Sequence, residues 1–355
     1  MSGQINLIQA LRGISIVLVI LYHCSLFFHG GFIGVDVFFV ISGVLITRSV
    51  LRSLGDGKSG YGLVLDFYGR RVVRLFPALS LTTLVTALLS VLVFSPYGEV
   101  DQILKSALAG AFFFANGRFF LLNDYTSLTS DPFRHLWSLG VEEQFYLVFP
   151  IVIVLAAGIV SKTKLRKTLF IGGLLVVLGS FVLSLLLSYG IRVLPLPERF
   201  AFYSPVTRAW QIGVGVLIGL ASEELEAYRV KPRTVALGVL IGFGLILTSG
   251  IYFDQHINYP GVFGLLPVIG AGLVIVGALK SEQIGSIRLS LLSHLGDLSY
   301  SLYLIHWPLL VLLQRSFVDS VFVSLISIPM SYVLARVQYS LVEKPIILRY
   351  SRSGM

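Results

Sequence analysis

Apolar residues run along this chain in long blocks separated by short polar breaks. The first two blocks set the pattern. NLIQALRGISIVLVILYHCSLFFHGGFIGVDVFFVISGVLIT, residues 6–47, holds two apolar runs that meet at Gly30-Gly31. At 1.5 Å rise per residue each run can cross a hydrocarbon core of about 30 Å, so the pair reads as a transmembrane hairpin. The same reading predicts spanning helices near residues 5–28, 32–52, 73–95, 136–160, 168–189, 206–221, 234–252, 262–279, 296–314 and 317–340. One further stretch, Leu104–Leu122, is apolar but interrupted by Asn116, Gly117 and Arg118.

Charge decides how that stretch is read. Arg48–Arg74, Lys162–Lys167, Arg229–Arg233, Lys280–Arg288 and the tail from Arg336 hold 19 of the 27 Lys and Arg residues. All five fall on one side only if Leu104–Leu122 does not cross. The positive-inside rule then predicts ten crossings with both termini cytoplasmic and Leu104–Leu122 as a re-entrant or surface helix. Eleven crossings with one weak loop is the alternative. The expected fold is all-α: a polytopic membrane bundle of about ten transmembrane helices.

Composition agrees. Apolar residues make up 55% and charged residues 13%, about half the charged share of a soluble domain. No long polar stretch separates a second domain, so residues 1–355 read as one membrane domain. The net charge of +9 follows the topology pattern and does not call for nucleic acid. The first apolar run lacks a basic leader and a cleavage site, and reads as a retained helix. The single cysteine, Cys24, excludes an internal disulfide and reads as a small buried filler. No histidine cluster has metal-ligand spacing, so no metal is expected.

Three ionisable residues sit in or beside the hairpin's apolar runs: Arg12, His23 and Asp36. Such groups inside a membrane mark a functional site by default. Arg12 and His23 are three helical turns plus about 20° apart, so they share a face. The topology puts His23 towards the outer half, with Asp36 near the outer start of the second helix and within reach of it. Arg70, Arg71 and Arg74 fall at the cytoplasmic entrance of the third helix. His135, Trp137, Glu142 and Glu143 fall at an outer helix start, and Arg208, Trp210, Tyr303, His306 and Trp307 at outer ends.

Five motifs give the pattern its identity: the Arg-x10-His pair, GGFIGVDVFFVISGVLIT, RRVVRLFP at Arg70–Pro77, HLWSLGVEEQFYLVFP at His135–Pro150, and LSYSLYLIHWPL at Leu298–Leu309. In this order they resemble the acyltransferase-3 family of integral membrane acyltransferases, across nearly the whole chain. The resemblance implies transfer of an acyl group, often acetyl from acetyl-CoA, to a hydroxyl. The implied acceptor is a sugar in a cell-surface polysaccharide or lipid-linked oligosaccharide, or a small natural product such as a macrolide. It also implies a bacterial inner-membrane location. Fused members carry a hydrolase-like C-terminal domain, which this sequence is not expected to contain.

Acyl transfer to a hydroxyl needs a base, an activated donor and stabilisation of an oxyanion. His23 is the expected base, with Asp36 fixing its tautomer as the acid does in hydrolase triads. Arg70, Arg71 and Arg74 suit the phosphates of coenzyme A, with Arg12 deeper along the donor path. His135 and Glu142 share a helical face, while Glu143 turns away. With Trp137, Arg208, Tyr303 and His306 they are the expected acceptor-binding residues. The plainer readings are juxtamembrane anchoring for the arginines and an interfacial belt for Trp137 and Trp307. A transporter or flippase is the rival function. No pair of inverted repeats with broken helices supports it.

Overall fold

The computed structural model describes residues 2–58, 60–122, 131–192, 194–254, 256–280, 289–317 and 320–352. Among these every regular element is helical. Seven helices are long and apolar enough to cross a membrane: Asn6–His23, Gly31–Gly55, Gly60–Val93, Leu136–Ile159, Thr163–Ser188, Pro232–Tyr252 and Val321–Tyr350. The chain is a multi-pass helical membrane protein. The other three expected spans form the shorter helices Pro205–Leu220, Leu265–Leu279 and Ser299–Ser316. Their 15 to 18 residues reach only about 22–27 Å.

Several boundaries differ from the sequence reading for local reasons. α1 (Ser2–His23) stops at His23, and left-handed backbone at Ser25 and Phe27 turns the chain away. α2 (Gly34–Gly55) follows a short 3-10 turn at Gly31–Ile33. α3 (Gly60–Val93) starts well before residue 73, so the three arginines lie inside a helix. Asp66 and Arg70, four apart, pair along its surface. The ambiguous stretch splits into α4 (Glu99–Ala111) and α5 (Ala115–Leu121), with Phe113 left-handed at the break. Neither piece is long enough to cross. Gln144 closes the break by donating to the Phe113 carbonyl at 2.9 Å and to Asn116 Oδ1 at 2.8 Å. Such irregular backbone needs protein partners at membrane depth. Of the basic segment Lys280–Arg288, residues 281–288 lie outside the described residues, as do 353–355 of the tail. Lys280 itself is buried and donates to the carbonyls of Leu225 and Tyr228, so it serves as a cap rather than a solvated charge.

The chain divides into two compact units. The first comprises Met1–Tyr22, Leu26–Leu63 and Phe145–Asp297. It includes most of α1, α2, the later part of α6 (Leu136–Ile159), α7 (Lys162–Ser188), α8 (Pro197–Tyr203), α9 (Pro205–Leu220), α10 (Ser222–Ala227), α11 (Pro232–Tyr252), α12 (Leu265–Leu279) and α13 (Ser290–Asp297). Its core joins Leu11, Leu18, Val37, Val40, Trp210 and Val274. α2 and α9 touch backbone to backbone. A Cβ on Gly43 would stand 2.0 Å from the Ile212 carbonyl oxygen, and one on Gly215 would stand 2.1 Å from that of Val40. Small residues at the contact are what permit this approach.

The second unit comprises His23–Ser25, Val64–Gln144 and Leu298–Met355. It contains most of α3, α4, α5, the start of α6, α14 (Ser299–Ser316), α15 (Val321–Gln338) and α16 (Lys344–Arg352). α14 packs along α15. Polar bonds tie both to α3: Tyr300 donates to the Leu75 carbonyl at 2.9 Å, and Thr82 to Gln338 Oε1 at 2.9 Å. Cys24 is buried beside the Ser327 hydroxyl at 3.6 Å, as expected of a small filler.

Candidate active site

The polar residues singled out in the sequence gather in two different settings. In the first unit Asp36 is 1% exposed and saturated. Arg208 donates from Nη1 to Oδ1 at 3.0 Å, Gln211 donates to the same oxygen, and the Tyr259 hydroxyl donates to Oδ2. Arg208 also donates from Nε to the Phe202 carbonyl at 3.0 Å, and its guanidinium lies over the Phe202 ring. Arg208, expected at an acceptor mouth, is thus a buried partner of Asp36. A carboxylate buried in an apolar helix core needs such a counter-charge. Arg12 belongs to this unit and is half-buried on α1.

In the second unit an imidazole group assembles around α14. His23 Nδ1 lies 3.0 Å from His306 Nε2, with the rings stacked at 5.2 Å and 27°. The His306 ring in turn places Nδ1 2.9 Å from the Leu302 carbonyl, one turn back on its own helix. Trp307, the next residue, packs its ring 4.6 Å from that of His23 and donates from Nε1 to the Asp131 carbonyl at 2.8 Å. The aromatic expected in an interfacial belt is therefore 9% exposed and part of this group.

His135 completes the set. Its ring lies 5.7 Å from that of His306, edge to face, and 5.3 Å from that of Tyr303. The Tyr303 hydroxyl donates to the His135 carbonyl, so the Ser138 hydroxyl, 2.7 Å away, donates to Tyr303. Both His135 ring nitrogens are buried, and neither reaches hydrogen-bond geometry with a described residue. The nearby Leu304 carbonyl has lost its usual intrahelical donor because residue 308 is proline. Burial holds the His135 imidazole well below its ordinary pKa, with His306 adding to the effect.

The loop before α6 is fixed by Asp131. Its carboxylate accepts from Ser106 at 2.5 Å and from the Phe133 N–H at 2.8 Å, and Arg118 donates to Ser106 at 2.7 Å. Burial pushes the Asp131 carboxyl up to about 6, against the pull of these partners. Asp131 does not stand out in the sequence, and Arg118 does so only as an interruption of Leu104–Leu122. Only the fold shows that they brace the residues leading to His135.

The remaining expected residues spread over α3 and α6. Arg71 pairs with Glu143 at 2.5 Å, both partly buried, so Glu143 does face into the protein. Arg70 pairs with Asp66 at the surface, and Arg74 is exposed on the same side of α3. Trp137 and Glu142 are half-buried on the first two turns of α6.

The arrangement defines a class: a multi-pass helical protein that gathers imidazole rings among buried aromatic and hydroxyl groups. The chain belongs to the acyltransferase family, whose model, described as acyltransferase domain, matches residues 5–336. It is 30% identical over 355 residues to O-acetyltransferase OatA of Staphylococcus aureus strain NCTC 8325 / PS 47, covering 96% of this chain and 56% of that protein. The OatA proteins of strains COL and MRSA252 match to the same extent. The chain thus spans about half the length of the curated relatives it matches. No solved structure matches it.

Proposed function

We propose that this chain is a membrane O-acetyltransferase acting as one acyltransferase domain, with His23 as general base. The observation that carries the reading is the convergence of His23, His306 and His135 on one buried, aromatic-lined spot, in a chain of this family. A hydroxyl is a poor nucleophile at neutral pH. A neutral imidazole can take its proton as the carbon–oxygen bond forms, and can return that proton to a leaving thiolate. The Ser138–Tyr303 pair and the buried His135 ring, whose nitrogens reach no hydrogen-bond geometry among the described residues, are the polar groups of this spot that would face an acceptor hydroxyl or a developing oxyanion.

Acetyl-CoA is the proposed donor, entering from the cytoplasm. The test of fit lies on α3. Three guanidinium groups occur within five residues, one of them, Arg71, held by Glu143. Arg70, which pairs with Asp66, and the exposed Arg74 lie on one face and supply the positive charge that suits the phosphates of a nucleotide thioester. When bound, the thioester supplies the activated acetyl group. The proposed acceptor is a hydroxyl of a surface polysaccharide or lipid-linked sugar in a bacterial inner membrane. The relatives named O-acetyltransferase support the acetyl group. The proposed topology is ten crossings with cytoplasmic termini.

Purified full chain in lipid nanodiscs, given labelled acetyl-CoA and a panel of sugar acceptors, tests the proposal. Label moving covalently onto an acceptor hydroxyl is the expected result. Absence of thioester consumption with every acceptor, alongside transport of any of them, would make the protein a carrier instead.

A further inference from the structure

Histidine can act as a base only through a nitrogen that carries a lone pair, so the tautomer of His23 matters. The hydrogen bonds of α14 decide it. The Leu302 carbonyl has no proton to give, so at 2.9 Å the His306 Nδ1 must be the donor. A neutral imidazole protonated at Nδ1 offers only a lone pair at Nε2. That Nε2 faces His23 Nδ1 at 3.0 Å, and a contact this short between two nitrogens requires one proton between them. The proton is therefore on His23 Nδ1.

We propose that His306 is a positioning residue that holds His23 as the Nδ1–H tautomer and so places the lone pair on His23 Nε2. The relay runs from His23 Nδ1–H to His306 Nε2, and from His306 Nδ1–H to the Leu302 carbonyl. It does for His23 what a carboxylate does in a hydrolase triad, but with no charge. A doubly protonated His306 would reverse the relay. It would also bury a cation with no carboxylate at hydrogen-bonding distance among the described residues, and His306 is 3% exposed. Trp307 fixes the plane of the same ring. Anchored by its bond to the Asp131 carbonyl, its indole packs on His23 from the next position of α14. One helix thus sets both the tautomer and the tilt of a residue 283 positions away.

The catalytic consequence rests on His23 being the base; the tautomer itself does not. Nitrogen-15 NMR of the full chain with labelled histidine reads it directly, with His23 assigned by its loss in His23→Gln. The expected wild-type spectrum has His23 Nδ1 protonated and Nε2 unprotonated, and the same pattern for His306. In His306→Phe the His23 proton should move largely to Nε2. Turnover should follow: kcat falls about 10²- to 10⁴-fold in His306→Phe with little change in KM. His306→Gln, whose amide oxygen can sit where Nε2 was, should restore part of kcat. Wild-type His23 protonated at Nε2, or an unaltered kcat in folded His306→Phe, overturns the proposal. The wild-type spectrum decides even if the variants do not fold. If that spectrum is as expected while His23→Ala keeps its turnover, the reading of His23 as base fails and the tautomer assignment stands.

Discussion

Two buried polar groups of this protein are built on opposite principles. Around Asp36 charge is answered: one carboxylate receives Arg208, Gln211 and Tyr259, and Arg208 also donates to the Phe202 carbonyl and to Gln211 Oε1. Around His306 the groups are imidazole, indole and hydroxyl, and His135 keeps two buried nitrogens outside hydrogen-bond geometry among the described residues. An unmatched buried polar group costs about 1–3 kcal/mol, so the His135 nitrogens are the part of this group that a bound molecule would stabilise by pairing. A closed network holds helices together; an open one leaves capacity for a substrate. On the proposed reading, the difference separates Asp36, which positions the fold, from His23, which does chemistry, even though both sit within the same sequence hairpin.

Breaking the closed network gives the largest effect on stability. Asp36→Ala removes the carboxylate that pairs with the buried Arg208 charge, which should cost about 3–5 kcal/mol. Thermal unfolding in detergent should show a strongly lowered midpoint and poor accumulation. A variant as stable as wild type would mean that Arg208 finds another partner and that the network is not closed.

The Asp131 brace gives the next effect, and its sign can be worked out. Folding raises this carboxyl from its ordinary 3.8 to about 6, so the fold favours the protonated form. Its contribution is fully present below pH ~4 and is lost as the pH rises through 6. The loss is on the order of 3 kcal/mol. Wild type should therefore lose stability between pH 4 and 7 relative to Asp131→Asn, which cannot ionise there. Parallel profiles for the two proteins would show that the carboxyl is already ionised in the fold.

The smallest effects should come from the donor path, and they separate neighbours on α3. On the proposed donor path, Arg70→Ala and Arg74→Ala each remove a phosphate contact formed equally in ground and transition states. They should raise KM about 10- to 150-fold with little change in kcat. Arg71→Ala should act mainly on stability, because Glu143 holds that guanidinium. Equal KM in all three variants would reduce the arginines to topology anchors.

How much of this was legible beforehand depended on distance along the chain. The apolar blocks show the membrane class, the turn at Gly30-Gly31 and most long helices, because each is encoded within a few turns; the earlier stop of α1 at His23 is not marked in them. His23, His135 and His306 could be named from their motifs. Their grouping could not, since the His23–His306 contact joins residues 283 apart. Asp36 was expected to serve His23 because it is 13 positions away in the sequence. Its ion-pair partner, Arg208, is 172 positions away, and no periodicity marks it. The break in Leu104–Leu122 was visible in its polar residues, whereas the Gln144 side chain that closes it was not.

The central claim is that His23 is the base of an acetyl transfer, and one comparison tests it most directly. His23→Ala and wild type, purified in equal yield and with matching unfolding midpoints, are given the same labelled acetyl donor and acceptor. The account predicts that the variant still binds the donor but turns over about 10²- to 10⁴-fold more slowly. Turnover within about twofold of wild type would contradict it and move the chemistry away from the end of α1, since the loss of a general base should cost far more than that.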